Sequence, residues 1–101
     1  MFDRQRYGKI LVPLVTPFAE DQSLDLDRAR RLVRYLIDSN NADSIVLTGT
    51  TGEFHTMTFE ERVRIFDLVH TEFSKEISAI AGVGCASTIE TIALAKEAEQ
   101  I

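Results

Sequence analysis

Three times along this chain a short apolar run gives way to a turn rich in glycine or proline and then to an amphipathic segment. That alternation leaves few folds open. Ile10 to Val15 is apolar without a clear period of two, Ser44 to Leu47 is the second such run, and Ile77 to Val83 is the third. Continuous apolar strands are buried on both faces, the habit of parallel sheets. After a polar loop from Ala19 to Ser23, the positions Ala29, Leu32, Val33, Leu36 and Ile37 recur at helical spacing. Asp25 or Asp27 is available as the N-cap, and this helix fades at Ser39, Asn40 and Asn41. Thr58 and Glu61 have the spacing of a capping box, with Val63, Phe66, Val69 and Phe73 facing the core beyond them. Ser87 and Glu90 repeat that spacing, and Ile89, Ile92, Ala93 and Ala98 predict the buried stripe of the last helix.

Three strand-helix units in succession predict a parallel sheet with right-handed crossovers. Every strand-to-helix turn then lies on one face, where ligands bind in folds of this kind. Those turns are Thr16 to Phe18, the run TGTTGE from Thr48 to Glu53, and Gly82 to Ser87. TGTTGE is the most informative: glycines at Gly49 and Gly52 bring backbone N–H groups close, and Thr50 and Thr51 add hydroxyl donors. The set suits a small anion such as a carboxylate. The plainer alternative is that these residues only end a strand.

Composition narrows the partners. The 101 residues make one domain, with 45% hydrophobic and 27% charged content typical of a globular chain. A formal charge of −5 opposes nucleic acid, which is held by clustered cations. Arg28, Arg30, Arg31 and Arg34 do cluster, but round an amphipathic helix, where they predict a solvated face. No run approaches a membrane span, and the N-terminal MFDRQRYGK has no signal-peptide core, so the cytoplasm is the expected location. The single cysteine, Cys85, cannot form an internal disulfide and reads as a small, partly buried residue. His55 and His70 lack ligand spacing: His70 belongs on a helix surface and His55 is a candidate for a pocket rim. No metal and no cofactor is implied. A phosphate-binding half-fold fits poorly, because GTTGE has neither G-x-G-x-x-G nor a Walker lysine and Glu53 would repel phosphate.

Four motifs in order then carry a resemblance over nearly the whole chain. They are LVTPF at Leu14 to Phe18, GTTGE at Gly49 to Glu53, M-T-x-E-E-R at Met57 to Arg62, and AGVG at Ala81 to Gly84. Together they resemble the dihydrodipicolinate synthase and N-acetylneuraminate lyase family. The resemblance implies a TIM (β/α)8 barrel, of which residues 1–101 supply about the first three βα units, and commonly a homotetramer. It implies a class I aldolase that handles pyruvate through a Schiff base on a lysine. The nearest branch is 4-hydroxy-tetrahydrodipicolinate synthase, which joins pyruvate to aspartate semialdehyde in lysine biosynthesis. Thr51 resembles the threonine that holds the keto-acid carboxylate with turn N–H groups, and Thr50 the hydroxyl that relays protons between tyrosines. Gly49 and Gly52 would permit the close backbone approach, and Glu53 would brace the turn. The Thr50–Thr51 pair favours the synthase branch, since the lyases often carry serine there. Pro13 departs from the pattern and leaves sugar-acid aldolases and dehydratases open.

The resemblance also shows what to expect to be missing. The lysines are Lys9 and Lys75, each preceding a strand, and Lys96 on a helix; none is placed at a strand's C-terminal end. Tyr7 and Tyr35 are equally remote from Thr50. The family's lysine and relay tyrosines belong to later strands, so the expectation is a truncated chain, inactive alone. Three parallel strands leave two open edges and much of the barrel interior uncovered, and such a piece is expected to self-associate or to pair with a missing remainder. The competing reading is a non-catalytic partial barrel that binds a carboxylate or assembles with another chain.

Overall fold

The computed structural model describes residues 3–101; Met1 and Phe2, the start of the N-terminal run without a signal-peptide core, lie outside the described residues. Element order follows the alternation. A one-turn helix α1 (Arg4–Tyr7) precedes β1 (Leu11–Pro13), α2 (Leu26–Asp38), β2 (Ser44–Leu47), α3 (Phe59–Phe73), β3 (Ser78–Ala81) and α4 (Thr88–Gln100). The strands form one parallel sheet in the order β1-β2-β3. Leu11, Val12 and Pro13 pair with Ser44, Ile45 and Val46, which pair in turn with Ser78, Ala79 and Ile80. All strand-to-helix turns therefore leave from one end of the sheet.

The first strand is shorter than its apolar run. Its ladder nevertheless continues one bond further, where the Leu14 N–H donates to the Val46 carbonyl at 2.8 Å. Alternate N–H groups point to opposite sides of a strand, so Pro13 lacks its donor on the side away from β2. Here that side is the sheet edge, and the proline removes no bond from the ladder.

Burial is one-sided: the Ile10–Val15 run is not covered on both faces as its apolar pattern suggests, and the open face agrees with the uncovered interior expected of three barrel units. Leu14, Ile45 and Leu47 are buried against the helices with Ala29, Val33, Phe66 and Val69. On the other face Pro13 and Val15 are exposed and Val46 and Ile80 only half-buried. Among the described residues no second layer covers that face. At its lower end α1 partly closes it: Ser44 Oγ donates to the Tyr7 carbonyl at 2.6 Å and Ser78 Oγ to the Arg6 carbonyl at 3.0 Å.

Caps fix the helix starts. The Asp25 carboxylate accepts from the Arg28 N–H at 3.0 Å, which settles the N-cap of α2. Thr58 and Glu61 form the full reciprocal capping box of α3. At α4, Ser87 accepts from the Glu90 N–H at 3.1 Å, the first of the two capping-box bonds.

The stripe of α4 differs from the expectation. Ile89 and Ile92 are 82% and 51% exposed and Ala93 is exposed, whereas Leu94 is fully buried. Of the predicted stripe only Ala98 packs, in a row with Leu94 and Ile101 at spacings of four and three. Both rows satisfy a helical period, and the helix turns the second one toward α3. The arginines of α2 keep the solvent contact predicted for them, with Arg28 and Arg31 exposed, but two of them also bridge to α3. Arg30 grips Glu72 of α3 through Nε at 2.6 Å and Nη2 at 2.9 Å, and Arg34 grips Glu76 at 2.9 and 2.8 Å.

These two bidentate pairs make stability depend on pH. The Glu72 and Glu76 carboxyls are held below the usual range chiefly by the arginine hydrogen bonds; partial burial opposes the shift and the arginine charge adds to it. A carboxyl depressed in the folded state stabilises it above the unfolded pKa, and that contribution disappears as pH falls through the folded value. The unfolding temperature should therefore drop modestly between about pH 5 and about pH 3, modestly because the pairs are solvent-exposed. In the Glu72→Gln, Glu76→Gln double variant, thermal melts across this range should show a shallower slope.

Candidate functional site

The TGTTGE turn leaves the end of β2 on the face to which all three strands point. Its first residue, Thr48, is 1% exposed and sits at φ +47°, a left-handed conformation that β-branched residues seldom adopt. Such a conformation costs about 1–3 kcal/mol and persists only where neighbours over-determine it. Here Thr48 Oγ1 donates to the Gly82 carbonyl at 2.8 Å, which ties the β2 turn to the β3 turn. From the other direction the Gly82 N–H donates to the Leu47 carbonyl at 2.7 Å.

Two glycines are present because backbones meet. A side chain at Gly82 would lie 2.5 Å from the Leu47 carbonyl oxygen and 2.8 Å from that of Thr48. One at Gly52 would lie 3.0 Å from the Leu14 oxygen and 3.1 Å from Thr16 Oγ1, so the turn rests directly on the end of β1. Gly49 differs from Gly52: a side chain there would meet only Val46, at 3.9 Å, so nothing in the protein crowds it. Within the protein, then, backbone crowds Gly52 and leaves Gly49 open.

Thr50 and Thr51 lie exposed between these anchors. The turn closes where the Glu53 N–H donates to the Thr50 carbonyl at 3.0 Å and the Phe54 N–H to the Gly49 carbonyl at 3.3 Å. Glu53, at φ +58°, braces the turn through its backbone, and a short 3-10 turn, Phe54–Thr56, leads on to α3. Thr50, Thr51, Gly49 and Gly52 thus share one rigid turn. The lysines lie elsewhere: Lys9 precedes β1, with its N–H bonded to Asp43 at 2.8 Å, Lys75 precedes β3, and Lys96 is exposed on α4.

Arg62 was part of a motif in the sequence and had no role there. It is the one buried charged side chain among the described residues, 3% exposed, on the first turns of α3. Its guanidinium donates to Thr48 Oγ1 at 3.2 Å, to the Thr48 carbonyl at 3.3 Å, to the Gly82 carbonyl at 2.5 Å and to the Gly84 carbonyl at 2.8 Å. Nη1 also lies 3.4 Å from Cys85 Sγ, and the group stacks over the Phe54 ring at 5.0 Å. Neutral acceptors thus satisfy a cation that would be costly to bury without them. The signal was present in the spacing, since Arg62, Phe66, Val69 and Phe73 recur at intervals of four, three and four along one stripe.

A cavity of 240 Å³ lies beside this cluster, with Phe54, His55, Phe59, Arg62, Cys85 and Leu94 in its wall. His55 is therefore a rim residue, and Cys85 is half-buried as expected. A larger cavity of 340 Å³ lies away from the turns, beside Arg6, His70 and Ser78. Neither cavity includes Thr50 or Thr51. The larger void is away from the chemistry, and the candidate site is the open face at the turn. No group of His, Cys, Asp and Glu that could hold a metal occurs among the described residues, and no described helix is long and apolar enough to cross a membrane.

Comparison with known proteins places this geometry. Over 96 residues the chain is 45% identical to the 4-hydroxy-tetrahydrodipicolinate synthase of Moorella thermoacetica, covering 95% of this chain and 32% of that protein. The dihydrodipicolinate synthase DapA-2 of Bacillus anthracis superposes with a TM-score of 0.88 at 39% identity, covering 99% of this chain and 33% of that one. The N-acetylneuraminate lyase of Mycoplasma synoviae gives 0.85 at 32%, covering 97% and 34%. The dihydrodipicolinate synthase of Acinetobacter baumannii, solved with pyruvate, gives 0.82 at 35%, covering 94% and 32%. The chain spans about a third of the length of the relatives it matches, as expected of three opening βα units of their barrel. The family model for dihydrodipicolinate synthetases matches residues 6–101, and with the three-stranded sheet and its turn in agreement the chain belongs to the dihydrodipicolinate synthetase family.

Proposed function

We propose that this chain forms the carboxylate-holding corner of a class I, Schiff-base aldolase that uses pyruvate, most like 4-hydroxy-tetrahydrodipicolinate synthase acting on pyruvate and aspartate semialdehyde in lysine biosynthesis. The observation that carries the reading is the exposed Thr50–Thr51 pair on a turn anchored at Gly52, at the C-terminal end of β2. In this role Thr51 and the turn N–H groups hold the keto-acid carboxylate, and Thr50 passes protons to tyrosines supplied by other strands. The pyruvate bound in the Acinetobacter baumannii relative supports the substrate class. The full reaction needs a lysine at a strand end, an amine that forms the imine, and groups that complete the barrel, in a homo-oligomer or with other barrel segments. The cytoplasm suits such chemistry, and neither cofactor nor metal enters it.

The placement of Lys9, Lys75 and Lys96 makes a direct test possible. Incubating the 101-residue chain with pyruvate and borohydride should leave its intact mass unchanged. A pyruvyl adduct on any of the three would contradict the assignment of roles.

A further inference from the structure

Arg62 occupies a place that electrostatics does not favour. It lies on the first turns of α3, where the helix N-terminus repels a cation, and among the described residues no carboxylate lies within ion-pair distance of it. A buried guanidinium kept at such a point is there for its geometry. One planar group reaches Thr48 Oγ1, the Thr48 carbonyl, and the carbonyls of Gly82 and Gly84, and so binds the β2 and β3 turns into one unit. Thr48 is where the chain leaves β2 for Thr50 and Thr51, and it stands there at φ +47°. The threonine hydroxyl contributes one further bond, to Gly82.

We propose that Arg62 is a positioning residue for the anion-binding turn: its fan of hydrogen bonds holds Thr48 left-handed, and its unpaired positive charge lies behind the turn that takes the substrate carboxylate. This rests on the keto-acid reading of the turn given above. A lysine cannot substitute for it, because three donors on one nitrogen cannot span acceptors on two turns. Glycine at position 48 would adopt the left-handed conformation unaided. The support from Arg62 and the strain at Thr48 are thus two sides of one device.

The test uses the full chain, labelled with ¹⁵N and ¹³C, in three forms: unchanged, Arg62→Lys, and Arg62→Lys with Thr48→Gly. The backbone coupling and Cα shift of residue 48 report its conformation, and pyruvate titration followed by NMR reports the site. In Arg62→Lys, Thr48 should lose its left-handed signature and pyruvate affinity should fall about tenfold, the equivalent of about 1.4 kcal/mol. Adding Thr48→Gly should bring affinity back to within about threefold, since glycine needs no support there. Unchanged Thr48 signals and unchanged affinity in Arg62→Lys overturn the proposal. If Arg62→Lys does not fold, the double variant decides: rescue of folding supports the proposal and failure overturns it. If the unchanged chain shows no response to pyruvate, the keto-acid reading fails, while the signature of Thr48 still decides the role of Arg62.

Discussion

Gly82→Ala is expected to lower stability by about 1–3 kcal/mol or more, because the added methyl meets backbone rather than movable side chains. The Leu47 and Thr48 carbonyl oxygens lie 2.5 and 2.8 Å from its position. Relief requires β3 to move away from β2 at the turn end of the sheet, which breaks the bond from the Gly82 N–H to the Leu47 carbonyl and strains that from Thr48 Oγ1. Denaturant titration should show a lower midpoint with the slope little changed. A midpoint equal to that of the unsubstituted chain would contradict this close approach of the strands.

Leu94→Ala is the second large effect, at about 2–5 kcal/mol, the usual cost of truncating a fully buried leucine. Leu94 is 0% exposed and lies beside the cavity that already adjoins Arg62, so the site has little scope to close over the loss. The comparison that gives this result meaning is with Ile89→Ala and Ile92→Ala. Both residues are more than half exposed, and each change should stay within about 0.5 kcal/mol. Denaturant titration of all three variants checks it. A large loss at Ile89 or Ile92 with a small one at Leu94 would restore the stripe predicted from sequence.

That stripe shows where sequence reading reached its end. Ile89, Ile92 and Ala93 satisfy a helical period with Ala98 as well as Leu94 and Ile101 do. Only the neighbouring helix decides between them, and periodicity carries no information about neighbours. The helix starts were legible because caps are local: Asp25, Thr58 and Ser87 each bond an N–H three residues ahead. The short helix α1 was not, since one polar turn has no apolar period to reveal it. Strand pairing followed from the order of the units, and the uncovered face followed from their number, because three units cannot close a barrel over its interior; the apolar pattern of the first strand alone pointed to burial on both faces.

The site divided in the same manner. The turn, its end of the sheet and the displaced lysines were all readable from residue order. The strain at Thr48 and the fan of bonds from Arg62 were not, since both depend on how β2 and β3 come together. An arginine in an amphipathic helix reads as solvated by default, as those of α2 did. Arg30 and Arg34 turned out to be paired across the α2–α3 contact, and Arg62 to be buried outright. For Arg62 the clue was register with the apolar positions Phe66, Val69 and Phe73 rather than charge.

The most direct measurement of the central claim is titration of the ¹⁵N-labelled chain with pyruvate while each backbone amide is followed. The account predicts shifts concentrated from Thr48 to Glu53 that are largely lost in Thr51→Val. No shift in that turn, or shifts centred instead on the cavity beside Arg6, His70 and Ser78, would contradict it.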